Sequence, residues 1–197
     1  MKVLGINGSA KKDSHTTGLM KYIFEELNKE GIETKLIILY DKKINPCHAC
    51  WACQSRKNCV YQDDFHDVFN QMMEADGMIL GLPVYMANIS SFMQALLERA
   101  AVVLDMNKEN LSMKYKVGAS IVSLRRGGGL NAVDAMNHFF LNHEMIVVGS
   151  TYWNMVYSQL SREVESDLEG IENMKNTGQN MACILKKINN NDLNNIE

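Results

Sequence analysis

Nothing in this sequence approaches the run of roughly 20 apolar residues that a membrane-spanning helix needs. A leader with a long apolar core is missing as well, because the first apolar stretch, residues 2–6, runs straight into Gly8-Ser9 and the lysine pair Lys11-Lys12. These absences predict a cytoplasmic protein with no membrane partner. Excess charge of one sign is scarce: the formal net charge is −3 with the signs interspersed, so no basic face for a nucleic acid is expected. Internal repeats and linkers are absent. No Ser/His/Asp set and no carboxylate pair asks for a hydrolytic explanation.

What is present is the material of one domain. At 197 residues, 46% hydrophobic and 22% charged, the chain can bury a core of its own. Apolar runs at 2–6, 34–40, 77–82, 116–123 and 145–150 read as strands, and helical periodicities separate them. One helix carries Leu19, Tyr22, Ile23 and Leu27 on a single face. The next starts near Asp63, with Asp64 as its cap and Val68, Phe69 and Met72 facing inward. A third is capped by Ser90 or Ser91 and runs to 104, a fourth passes through Val133, Met136, Phe140 and Leu141, and a last one covers 169–188. This alternation predicts an α/β fold, a doubly wound five-stranded parallel sheet in the order 2-1-3-4-5 with helices on both faces. The expected organisation is a single domain over 1–188, including a cysteine-rich loop at 45–62 after the second strand, and a polar tail at 189–197.

In such a sheet, ligands bind beyond the carboxyl ends of the strands, where the strand order reverses. Three loops leave that rim. The first, NGSAKKDSHTTG, offers the hydroxyls of Ser9, Ser14, Thr16 and Thr17 and the charge of Lys11 just before a helix N-terminus, where free amides and the helix dipole attract phosphate. It lacks GxGxxG and GxxxxGK[ST], so a phosphate monoester suits it better than a dinucleotide, and a plain polar helix cap suits it equally. The second loop, PVYMAN, brings Pro83, Val84, Tyr85, Met86 and Asn88, which suit a planar heterocycle or ordinary rim packing. The third, SLRRGGGL, combines Ser123 and the flexible Gly127 and Gly128 with Arg125 and Arg126, which can stabilise an anionic reduced ring or simply face solvent. Together the three describe a pocket for FMN.

Cys47, Cys50, Cys53 and Cys59 follow the spacing C-x2-C-x2-C-x5-C, close to the ligand run that wraps a cubane cluster in bacterial ferredoxins. A [4Fe-4S] cluster suits one compact loop because its corner irons spread the thiolates apart. Zinc, which usually draws on two separated ligand pairs, and free or disulfide thiols are the alternatives. Trp51 reads as a shield over the site, His48 as exposed, and Cys183, among Met181, Ile184 and Leu185, as a buried thiol.

The chain resembles the iron-sulfur flavoprotein family, a branch of the NADPH-dependent FMN reductase group with the flavodoxin-like fold. The resemblance covers GSAKK, the cysteine spacing, CVYQDDF, LPVYMAN, the Arg-Gly-Gly loop, MIVVG and a late DLEG. It departs at Ala10-Lys11, where Pro-Arg is commoner, and at His15, where Asn is frequent. It implies FMN held by the rim residues named above, a cluster held by the four cysteines, and a homo-oligomer, dimer or tetramer. The leading expectation is an oxidoreductase that passes electrons from a ferredoxin-like donor or NAD(P)H to oxygen, peroxide or a quinone. The cysteines then act as ligands and not as nucleophiles, and no residue is assigned a catalytic role. The alternatives are an NAD(P)H-dependent FMN or quinone reductase whose cysteines bind zinc or nothing, and a non-enzymatic redox or metal sensor.

Overall fold

The structure is a computed structural model that describes residues 1–158 and 164–190. Its parallel strands β1 (Lys2–Asn7), β2 (Glu33–Ile38), β3 (Gly77–Pro83), β4 (Val117–Leu124) and β5 (Ile146–Val147) lie in the order β2-β1-β3-β4-β5. The helices are α1 (His15–Lys29), α2 (Cys53–Arg56), α3 (Phe65–Glu74), α4 (Ser91–Asp105), α5 (Gly129–Asn142) and α6 (Leu168–Asn190). Among the described residues no helix is long and apolar enough to cross a membrane. The predicted tail begins inside α6, and residues 191–197 lie outside the described residues.

Period-two alternation in the central strands feeds two apolar layers. On β3, Met78, Leu80 and Leu82 point into the layer formed with α3, α4 and α5, while Ile79 points into the layer formed with α1 and α6. Full burial of each such side chain contributes about 1.5–3 kcal/mol. Because successive parallel strands are joined by helices, α4 leaves the carboxyl rim at Ser90 and runs back toward the amino ends of the sheet. Ser90 is the N-cap: its Oγ accepts the Met93 amide at 3.3 Å and donates to the Gly8 carbonyl at 2.6 Å, which ties α4 to the first rim loop.

Several details differ from expectation. The apolar run 145–150 is not one strand. Only Ile146–Val147 pairs with β4, because the polar residues that follow bond α6 instead: Ser150 Oγ donates to the Asn173 carbonyl at 2.8 Å and Thr151 Oγ1 to Asn173 Oδ1 at 2.7 Å. The chain rejoins the sheet as β6 (Met155–Tyr157), beside the end of β4. The second strand stops at Ile38, where Leu39–Asp41 turn as a 3₁₀ segment. Asp64 holds the N-cap position of α3, but its side chain bonds no amide of the helix: its carboxylate accepts the Lys43 amide at 2.7 Å, while Asp63 takes the Phe65 amide at 3.1 Å. Leu141 is 61% exposed, one position beyond the stripe that buries Met136, Phe139 and Phe140. Cys183 is exposed, because the buried face of α6 runs through Met181, Ala182 and Leu185.

Candidate functional site

The first rim loop is organised by Asn7, the fully buried last residue of β1. Its Nδ2 donates to Ser14 Oγ at 3.0 Å and to Thr17 Oγ1 at 2.9 Å, and its Oδ1 accepts the Ser9 amide at 2.8 Å. The loop is further pinned by the Gly8 amide, which donates to the Gly81 carbonyl at 2.8 Å. Ser14 N-caps α1, so the helix begins at the loop with its dipole directed there. Sequence reading assigned no role to Asn7. A polar residue ending an apolar run just before a hydroxyl-rich loop was the available signal.

A cavity of about 330 Å³ opens between this loop and the loops after β3 and β4. Ser9, Lys11, Ser14, Thr16, Pro83, Val84, Tyr85, Ser123 and Arg125 line it, together with Asp13, His15, Leu124 and Ser158. The volume falls in the ordinary range for cofactor sites. Thr17 is turned inward to Asn7 and Ser14 and does not line the cavity. Met86, Asn88, Arg126, Gly127 and Gly128 stand outside it as well. Met86 and Ala87 form the tip of a tight turn, both with positive φ, closed by paired Tyr85 and Asn88 backbone bonds. Met86 is 98% exposed. Arg126 is exposed, and Gly128 serves as the cap residue before α5.

The four motif cysteines line a second cavity with His48, Trp51, Tyr61, Arg99, Val102 and Val103. The loop that carries them starts at the carboxyl rim, but the cavity does not lie there. It sits along the second half of α4, where Asn107 Nδ2 holds the Cys53 carbonyl at 3.1 Å. Between Cys47 and Cys53, Ala49 and Trp51 have positive φ, and Ala52 is right-handed. Such alternation turns backbone amides to one side of the chain, and the Ala49 amide donates to Cys47 Sγ at 3.4 Å. Cys53 is buried, Cys47 and Cys59 are half-buried and Cys50 is exposed. Burial pushes the Cys53 thiol up, and Cys50, Cys59 and Cys47 push it further, so this donor set gains from a bound cation. Among the described residues no three His, Cys, Asp or Glu side chains converge closely enough for a single metal ion. Trp51 borders the cavity but is 57% exposed, and the His48 ring lies against Tyr61 at a tilt of 39°, with centroids 4.8 Å apart.

Arg99 closes the cavity from α4 and is 2% exposed. Its Nη1 meets Asp63 Oδ2 at 2.6 Å and the Asn45 carbonyl at 3.1 Å. Its Nη2 donates to Cys59 Sγ at 3.1 Å and to the Tyr61 carbonyl at 3.3 Å, and the guanidinium lies 4.3 Å from the Phe65 ring centroid. Burial alone would raise the Asp63 carboxyl, but Arg99 and the Asn45 and Phe65 amides outweigh it and hold the group below its usual range. Sequence reading overlooked Arg99. The signal was an arginine three residues after Leu96 and four before Val103, on an otherwise apolar stripe.

The sequence profile of the NADPH-dependent FMN reductase family matches residues 1–159. An iron-sulfur flavoprotein of Methanocaldococcus jannaschii is 33% identical over 195 residues, covering 95% of this chain and 99% of that one. An iron-sulfur flavoprotein of Methanosarcina thermophila is 30% identical, covering 97% and 98%. A flavodoxin-fold, WrbA-like protein from Agrobacterium tumefaciens superimposes with a TM-score of 0.65 at 16% identity, over 94% of this chain and 97% of that one, which shows the flavodoxin-like fold.

Proposed function

The chain belongs to the NADPH-dependent FMN reductase family and to its iron-sulfur flavoproteins, and from that premise we propose an FMN- and [4Fe-4S]-containing electron-transfer flavoprotein. As a flavin-dependent oxidoreductase, it passes electrons from a ferredoxin-like donor or NAD(P)H to a small acceptor such as oxygen, peroxide or a quinone. The observation that carries this reading is the pair of cavities in one chain. One is built for a phosphate-tailed planar ring; the other is ringed by four thiols.

The residues fit both groups. The N-terminus of α1, the hydroxyls of Ser9, Ser14 and Thr16, and Lys11 are suited to the FMN phosphate. Pro83, Val84 and Tyr85 on one side and Ser123 and Arg125 on the other suit the ring, with Arg125 supplying positive charge where a reduced ring gathers negative charge. Cys47, Cys50, Cys53 and Cys59 would hold the cluster. When bound, FMN interconverts two-electron and one-electron chemistry and the cluster carries single electrons. Val102 and Val103 give the thiol cavity an apolar wall that limits water, and Asn107 fixes the Cys53 backbone.

The family name favours NADPH as a donor. The thiol cavity lies off the rim, beside α4. We therefore read the protein as a cytoplasmic homo-oligomer, dimer or tetramer, in which the cysteine site of one chain approaches the flavin of another. The test is anaerobic reconstitution, with FMN, iron and acid-labile sulfide assayed in the wild type and in Cys→Ser variants at positions 47, 50, 53 and 59. The expected result is FMN in all of them and iron with sulfide in the wild type alone. FMN with zinc, or with no metal, would leave the plain FMN or quinone reductase instead.

A further inference from the structure

Arg99 does more than balance Asp63. The four Nη–H donors of the guanidinium could all have been directed to oxygen, as is usual for a buried arginine, yet Nη2 is aimed at Cys59 Sγ at 3.1 Å. The Nε–H is buried with no hydrogen-bond partner in a side chain that borders the thiol cavity. A lone buried donor of a charged group is costly unless the site supplies an acceptor. The rest of the side chain is held rigidly: the Asp63 carboxylate, two carbonyls and the Phe65 ring fix the guanidinium plane. The Asp63 carboxylate is itself anchored by the Asn45 amide at 3.1 Å and the Phe65 amide at 3.1 Å. Such anchoring prevents the pair from relaxing when the charge beside it changes.

From this arrangement we infer that Arg99 is a positioning residue that orients Cys59 and raises the reduction potential of the thiolate-held group by a charge-assisted N–H···S bond. The inference rests on the cluster reading above. Each electron that arrives from the donor adds one negative charge within the thiol cavity, and no covalent bond forms or breaks. A hydrogen bond from a fixed cation to a ligating sulfur is stronger in the state with more negative charge, so it stabilises the reduced form over the oxidised one. Asp63 opposes this from the far side of the guanidinium, so the two residues act on the potential with opposite sign.

Two measurements test it. In the wild-type protein reconstituted with iron and sulfide, resonance Raman spectra in H2O and D2O should show a deuterium shift in the Fe–S(Cys) stretching modes. In redox titrations followed by EPR, Arg99→Gln/Asp63→Asn should titrate at a lower potential than wild type and Asp63→Asn alone at a higher one, with the FMN potential unmoved. General structural damage does not produce opposite signs in two variants that both disturb the same pair. The absence of a deuterium shift, or equal potentials in all three loaded proteins, overturns the role of Arg99 while the cluster reading stands. If neither variant loads, electron-nuclear double resonance on the reduced wild-type protein carrying 15N-arginine decides, a coupled arginine nitrogen being expected and its absence overturning the role, because the Ala49 amide also donates to Cys47 Sγ and adds to the deuterium shift. A wild-type protein that binds FMN but takes up no iron and sulfide overturns both.

Discussion

Gly128 packs directly on Ala87: a β-carbon added to Gly128 would lie 2.6 Å from both Cα and Cβ of that residue. The loop after β4 is thereby locked against the turn after β3, and the cavity keeps its mouth between them. Gly128 also has φ +83, where a side chain is strained by about 1–2 kcal/mol. Gly128→Ala should therefore separate the two loops, weaken FMN binding about tenfold or more and lower the melting temperature. FMN titration followed by fluorescence quenching checks it, and unchanged affinity would show that the loops move independently of the cavity.

Asn7 touches no cavity surface, yet its three hydrogen bonds set the loop that does. Asn7→Ala leaves the Ser9 amide without its acceptor and frees Ser14 and Thr17, at a cost of about 1–3 kcal/mol. Weaker binding of FMN is expected with little change for riboflavin, which has no phosphate. Equal losses for the two ligands would assign Asn7 to the ring instead.

Lys116, just before β4, sends its Nζ to the Met73 carbonyl at 2.7 Å and to the Ala75 carbonyl, closing the end of α3. Lys116→Met removes both donors from half-buried carbonyls and should destabilise the fold by about 1–3 kcal/mol. Urea denaturation measures this, with flavin affinity unchanged, because α3 ends on the far side of the sheet from the rim.

His143 is 8% exposed, with its Nε2 unpartnered and its ring edge-on to Phe139 at 4.7 Å. Burial pushes its pKa below the ordinary value, with Asp105 pulling it up and Lys108 pushing it down. The unfolded chain thus takes the proton first. The stability His143 contributes is complete above about pH 6.5 and is lost as pH falls through the folded value, at up to about 1.4 kcal/mol per pH unit. Between pH 7.5 and 5, wild type should lose more stability than His143→Phe. Parallel curves would show that His143 does not titrate with unfolding.

The central strands were legible in the sequence because both faces of β3 and β4 are buried, which leaves short uninterrupted apolar runs. The fifth strand was legible in place but not in extent, since Ile146-Val147-Val148 looks the same whether its continuation bonds a sheet or, through Ser150 and Thr151, a helix. At the site, residue types were legible and side-chain directions were not. Thr16 and Thr17 are adjacent and chemically alike, yet a helical step of about 100° turns one to the cavity and the other to Asn7. Arg99 was hidden for a different reason, because its partners come from residues 45, 59, 61 and 63, far away in the chain.

One helix borders the thiol cavity and is tied at its start to the loop that lines the other. Ser90, just ahead of α4, grips the Gly8 carbonyl, and nine residues on, about 14 Å along a helix axis, Arg99 grips Cys59. The helix works as a ruler: its rise per residue sets the spacing between the first rim loop and the thiols, and no linker can stretch it. An insertion within α4 would rotate Arg99 off its sulfur while Ser90 stayed in place, so the length of this segment is as fixed a requirement as any side chain it carries.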